Sequence, residues 1–125
     1  MKYLLMLYHD EIAGSEVGQE GIQDMMKRFN AWSDAMTEAG VHNTFSPLHP
    51  TSAAKTVRVP NGKKIVTHGP FAETKEQLAG FYLIDARDLN DAIQVASQIP
   101  PARVGSVEVR PVRDLTSTAG EHRRL

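Results

Sequence analysis

The chain has no cysteine, which excludes disulfides, thiolate nucleophiles, Cys-ligated zinc and iron–sulfur clusters together. Any catalysis must use His, carboxylates, Lys, Tyr or hydroxyl groups. An excess of one charge is also missing. The 14 Lys and Arg against 15 Asp and Glu leave a formal charge of −1 over 125 residues, so no overall field would recruit a phosphate backbone and direct nucleic-acid binding is not expected. No stretch approaches the roughly 20 apolar residues that span a bilayer. The run Tyr3 to Tyr8 superficially resembles the apolar part of a signal peptide, but His9, Asp10 and Glu11 close it with no small-residue cleavage site. A soluble, cytoplasmic protein without a membrane partner is the expectation.

Recognisable cofactor motifs are missing as well. The chain shows no phosphate loop, no GxSxG elbow and no dinucleotide fingerprint. His9, His42, His49 and His68 show neither i, i+4 helical spacing nor an HExxH pattern. Neither a metal nor a cofactor is predicted.

What is present fits one folded domain. Hydrophobic residues make up 41% and charged residues 23% of the chain, close to the globular average. Residues 2–8 read as a strand with apolar side chains on both faces. Gly14, Ser15 and Gly18 place a loop over 11–19. Ile22, Met25, Met26, Phe29, Trp32, Ser33 and Met36 then follow a helical stripe, with Trp32 and the methionines expected beneath a sheet. Gly40 ends that helix in a left-handed conformation, and residues 41–48 form a second strand.

Val57 and Val59 alternate with Thr56 and Arg58, and Pro60-Asn61-Gly62-Lys63 interrupts before Ile65 and Val66, as in a β-hairpin. Gly80-Phe81-Tyr82-Leu83-Ile84 is a core strand. Asp88 and Asp91 resemble a capping box opening a second helix over Leu89, Ala92, Ile93, Ala96 and Ile99, which stops before Pro100-Pro101. In residues 106–112, Val107 and Val109 face one way and Glu108 and Arg110 the other. Periodicity then vanishes, which predicts a mobile tail over 116–125. The order of elements predicts a ferredoxin-like α+β domain over residues 1–115 with one added hairpin. Two helices on one sheet face would leave the other uncovered, and a second copy of the chain is the simplest cover, forming a cavity between sheets.

The segment His68-Gly69-Pro70-Phe71-Ala72-Glu73-Thr74-Lys75-Glu76-Gln77-Leu78-Ala79-Gly80-Phe81-Tyr82-Leu83-Ile84 resembles the signature of the DGPF, YCII-related family. Met1-Lys2-Tyr3, Ala39-Gly40-Val41 and Gly105-Ser106-Val107-Glu108-Val109-Arg110-Pro111 extend the resemblance over residues 1–113. The resemblance implies a ferredoxin-like subunit, a dimeric α+β barrel and a ligand cleft near the signature loop. It also implies either small-molecule enzymology or a regulatory role linked to alternative sigma factors, with a protein partner in transcription. The chain departs from the family at His68, where the motif has Asp, at Val41 to Ser46, where relatives are glycine-rich, and at Ala79, which replaces a glycine.

Without the family, residues 68–77 still gather His68, Glu73, Lys75 and Glu76 beside two strands. A histidine with carboxylates suits general acid–base catalysis, and Lys75 could stabilise an oxyanion. A plainer reading makes Thr74 and Gln77 a capping box on a solvated helical turn. His9, Asp10, Tyr82 and Glu108 are candidate ligand-binding residues, though a strand tyrosine commonly packs in the core and Glu108 could pair with Arg58 or Arg110. Two functions follow. One is a cofactor-independent lyase or isomerase acting on a small, unidentified metabolite, and the other is a non-catalytic regulatory module using the same dimer cleft.

Overall fold

The computed structural model describes residues 1–14, 18–41, 43–99 and 105–115, without the side chains of residues 13, 14, 19 and 22. His42, Pro100, Pro101 and the 116–125 tail lie outside the described residues, as does the Ile22 side chain.

Strand β1 (Lys2–His9) explains why its apolar run is nearly unbroken. Tyr3, Leu5 and Leu7 are buried under helices, whereas Leu4, Met6 and Tyr8 point to the opposite face and remain half-buried. A single turn, α1 (Glu11–Gly14), lies within the stretch expected to be a loop. Helix α2 (Gly18–Glu38) begins earlier than its apolar stripe. Phe29 and Trp32 enter the core and Met36 packs against it. Met25 and Met26 are 40% and 37% exposed, correcting the expectation that they lie beneath the sheet. The C-terminal half of α2 makes the core contact, and these two methionines sit one to two turns before Trp32.

Gly40 has φ +86°, as the left-handed helix end requires. Its N–H donates to Thr37 O at 3.0 Å, and the Val41 N–H donates to Met36 O at 2.9 Å. Val41 packs on the core beside Met36, which completes a Schellman motif with its apolar contact. Strand β2 (Asn43–Pro47) follows, tied back to α2 by Asn43 Nδ2, which donates to Val41 O and Thr37 Oγ1.

The chain then leaves the main sheet. A 3-10 turn at Thr51–Ala53 leads into the hairpin of β3 (Lys55–Arg58) and β4 (Ile65–His68), joined by a second turn at Pro60–Gly62. This hairpin is a separate two-stranded sheet. Strand β5 (Gln77–Asp85), helix α3 (Leu89–Ser97) and strand β6 (Ser106–Pro111) complete the order.

The main sheet runs β2-β5-β1-β6 with every pairing antiparallel. With α2 and α3 as its long helices, this α+β arrangement is compatible with the ferredoxin-like fold. Tyr3, Leu5, Leu7, Tyr82 and Ile84 meet Phe29, Trp32, Ala92, Val95, Ala96 and Ile99 in one core. No helix among the described residues is long and apolar enough to cross a membrane.

Candidate functional site

Cross-strand register defines the sheet face opposite the helices. Leu4 lies between Leu83 and Arg110, Met6 between Phe81 and Glu108, and Tyr8 between Leu78 and Ser106. Thr44 and Ser46 extend the first two rows through β2. The face therefore has an apolar centre of Leu4, Met6, Phe81 and Leu83. A polar margin follows on the β1–β6 side.

That margin is held by side-chain hydrogen bonds. Ser106 Oγ donates to Glu76 Oε1 at 2.7 Å, fixing a half-buried carboxylate just before β5. Tyr8, directly across from Ser106, reaches only the Met6 thioether among the described residues, at 3.9 Å. A thioether is a weak acceptor, so the phenol keeps donor capacity. Arg110 Nη2 bonds Glu108 Oε2 at 2.8 Å. This is the Glu108–Arg110 alternative anticipated from sequence, and it leaves both groups on the same face as Tyr8.

A second network locks the end of the sheet. Glu11 accepts from Thr51 N at 2.8 Å and Thr51 Oγ1 at 2.7 Å, while its own N–H donates to Gln77 Oε1 at 2.9 Å. Gln77 Nε2 donates to Thr74 O at 2.6 Å. Thr74 and Gln77 are thus linked, but Gln77 starts a strand. The helical-turn reading is corrected, because the backbone of Gln77 is committed to pairing with His9.

The sequence-derived candidates divide accordingly. Glu76 and Glu108 lie at the margin of the outer face. His68 ends β4 on the detached hairpin, exposed, with its Nδ1 2.6 Å from Lys55 Nζ. An ammonium has no acceptor, so Lys55 is the donor in this contact. Glu73 and Lys75 are exposed in the connecting loop. His9 is half-buried at the end of β1 opposite Gln77, and Asp10 Oδ1 accepts from Ile12 N at 2.9 Å.

Tyr82 requires a correction. It is fully buried on the helix-covered face, where its hydroxyl and Ser33 Oγ are 3.0 Å apart and its ring stacks on Phe45 at 4.5 Å. Burial raises its pKa above the ordinary phenol value, partly opposed by the Ser33 bond. Tyr82 is a packing residue because the alternation of β5 turns it with Gly80 and Ile84 toward α2.

Sequence reasoning passed over Tyr8, Ser106 and Arg110 as members of the site. The apolar alternation of β1 carried a signal for Tyr8, but its neighbours are set by pairing distant in sequence: with Ser106 on β6, and with Leu78 on β5 across a bulge that leaves Ala79 without a partner on β1.

Among the described residues, no three His, Asp or Glu side chains gather closely enough to hold a metal. The YCII-related domain family matches residues 1–116. The chain belongs to the YCII-related family. This YCII-related protein is also 42% identical, over 114 residues, to an uncharacterized protein of Rhizobium meliloti (strain 1021), covering 90% of this chain and 92% of that one.

Proposed function

We propose that this YCII-related protein is a homodimer that binds a small metabolite between the outer faces of its two sheets. Tyr8, Ser106, Glu76, Glu108 and Arg110 form the polar wall in this reading. The supporting observation is the division of one helix-free sheet face into an apolar centre and a hydrogen-bonded polar margin. Pairing two such faces removes the apolar centres from water, and a largely apolar cavity with a few placed polar groups is the usual form of a small-molecule site.

Glu76 is the proton-transfer group in this account, with Tyr8 as hydroxyl donor and Arg110 as the cation for an anionic substrate group. Such a set performs acid–base chemistry on a carbonyl or hydroxy acid without a cofactor. Glu76 takes precedence over His68 because a neighbouring strand holds it in place, whereas His68 is exposed and bonded to a lysine. Glu73 and Lys75 contribute charge at the rim.

A metabolite-library thermal-shift screen tests the site. A ligand at 100 times its dissociation constant stabilises by about 2.7 kcal/mol. The expected result is a hit that Tyr8→Phe and Glu76→Gln both lose while His68→Ala keeps it. Loss only in His68→Ala would return the chemistry to the hairpin, and an absence of hits would favour the regulatory reading with a protein partner.

A further inference from the structure

The charges on the outer sheet face balance in pairs, with one left over. Arg110 Nη2 lies 2.8 Å from Glu108 Oε2, and Lys2 stands opposite Asp85 in the register of β1 with β5. Strand β2 adds only the hydroxyls of Thr44 and Ser46 to this face. Glu76 remains. Among the described residues its carboxylate makes no ion pair, and the group it meets is the neutral hydroxyl of Ser106.

Its setting separates this carboxylate from an ordinary surface one. Glu20, Glu38 and Glu73 are exposed, whereas Glu76 is half-buried and fixed from a strand 30 residues away. Glu11, also half-buried, already accepts two hydrogen bonds from Thr51. Covering the outer face in a dimer would strip water from Glu76, and a carboxylate out of water is costly unless it is paired. A counter-charge therefore belongs there.

Hydrogen-bond capacity points the same way. Ser106 Oγ gives its hydrogen to Glu76 Oε1, and Arg110 Nη2 donates to Glu108. The second oxygen of Glu76 and the lone pairs of Ser106 Oγ and of the Tyr8 hydroxyl remain as acceptors in one row of the sheet. An ammonium brings three donors and no acceptor, and its bonds to a carboxylate are charge-assisted. The adjoining rows carry Met6 with Phe81 and Leu4 with Leu83, which suit an apolar remainder.

We propose that the ligand of this site is a protonated amine on an apolar body, with its ammonium seated on Glu76. The inference rests on the small-molecule reading above and names the ligand class. Glu76, the proton-transfer group of that reading, takes its proton from the ammonium, which leaves the carboxyl protonated and the nitrogen with a free lone pair. An anionic group at Arg110 has to share the guanidinium with Glu108, so the amine is the charge on which recognition turns.

Isothermal titration calorimetry with three probes of similar body, phenethylamine, phenethyl alcohol and hydrocinnamate, tests it on the wild type, Glu76→Gln and Glu38→Gln. Glutamine keeps an oxygen that accepts from Ser106, so the first variant removes the charge and leaves the network, as far-UV circular dichroism will verify. The expected outcome is that phenethylamine binds the wild type and Glu38→Gln most tightly of the three. Its dissociation constant rises about tenfold or more in Glu76→Gln, or about 1.4 kcal/mol. Hydrocinnamate or phenethyl alcohol binding as tightly as the amine, or amine binding that Glu76→Gln leaves unchanged, overturns the amine class and leaves the small-molecule site standing. Binding of none of the three also overturns the amine class, and the small-molecule reading falls with it only if the metabolite-library screen is empty too.

Discussion

At the scale of single residues, two positions define how tightly the sheet and its cover are packed. Tyr82 sits within an aromatic group in which Phe29 stacks on Phe45 at 4.9 Å and Trp32 meets the Tyr82 ring edge-on at 4.8 Å. Tyr82→Phe keeps the packing and removes the Ser33 hydrogen bond, so it should cost about 0.5–1.5 kcal/mol by denaturant unfolding at neutral pH. The pH dependence has a definite sign. Because burial raises the folded-state pKa above the ordinary 10.0, the neutral phenol stabilises fully below pH 10, and that contribution is lost as pH rises through the folded value. Tyr82→Phe should therefore show a shallower loss of stability than the wild type above pH 10. Gly105 is the second position. A Cβ there would lie 2.0 Å from Tyr8 O, so Gly105→Ala must displace β6 from β1. We expect about 1–3 kcal/mol of destabilisation and, because Ser106 is the next residue, loss of the Glu76 contact and of ligand binding.

Helix α3 carries the clearest prediction at the scale of elements. Asp88 accepts from Asp91 N at 2.9 Å, and Asp91 Oδ2 accepts from Arg87 N at 3.0 Å, a capping box displaced by one residue. Asp88→Ala should cost about 1 kcal/mol. The Arg87 backbone N–H, then its side chain, lowers the Asp91 pKa from the ordinary 3.8. A lowered folded value means that the carboxylate stabilises above pH 3.8 and loses that effect as pH falls through the folded value. Asp91→Asn should accordingly flatten the acid limb of the stability profile below about pH 4.

This cap was legible in the sequence because its side chain and its targets lie within four residues. The same holds for the Gly40 helix end and for the Pro60–Gly62 turn of the hairpin. The signals that failed were non-local. Nothing within residues 68–77 reveals that Gln77 pairs with His9, or that Glu76 meets Ser106 across 30 residues of chain. The apolar residues of β5 announced a strand without saying which face Tyr82 would take. That depends on the pairing of Leu5 with Tyr82, which aligns two buried side chains. Met25 and Met26 satisfied the helical period yet stay exposed, because a period marks a face of α2 and not how far along the helix the core extends.

For the whole molecule, the unbroken apolar run of β1 already required cover on both sides of the sheet. The helices supply one side, through Tyr3, Leu5 and Leu7. Leu4, Met6, Phe81 and Leu83 lie on the other, and in the proposed dimer a two-fold copy would cover them and give the polar margin a dry wall. Leu83 points away from the helix-covered core, so Leu83→Lys should leave the subunit folded while placing an unpaired charge in the interface. The most direct measurement is the molar mass in solution by light scattering for the wild type and Leu83→Lys. The account predicts twice the 13.8 kDa chain mass for the wild type and a folded species of one chain mass for the variant. A wild type that elutes at one chain mass, or a Leu83→Lys protein that remains a dimer, would contradict it.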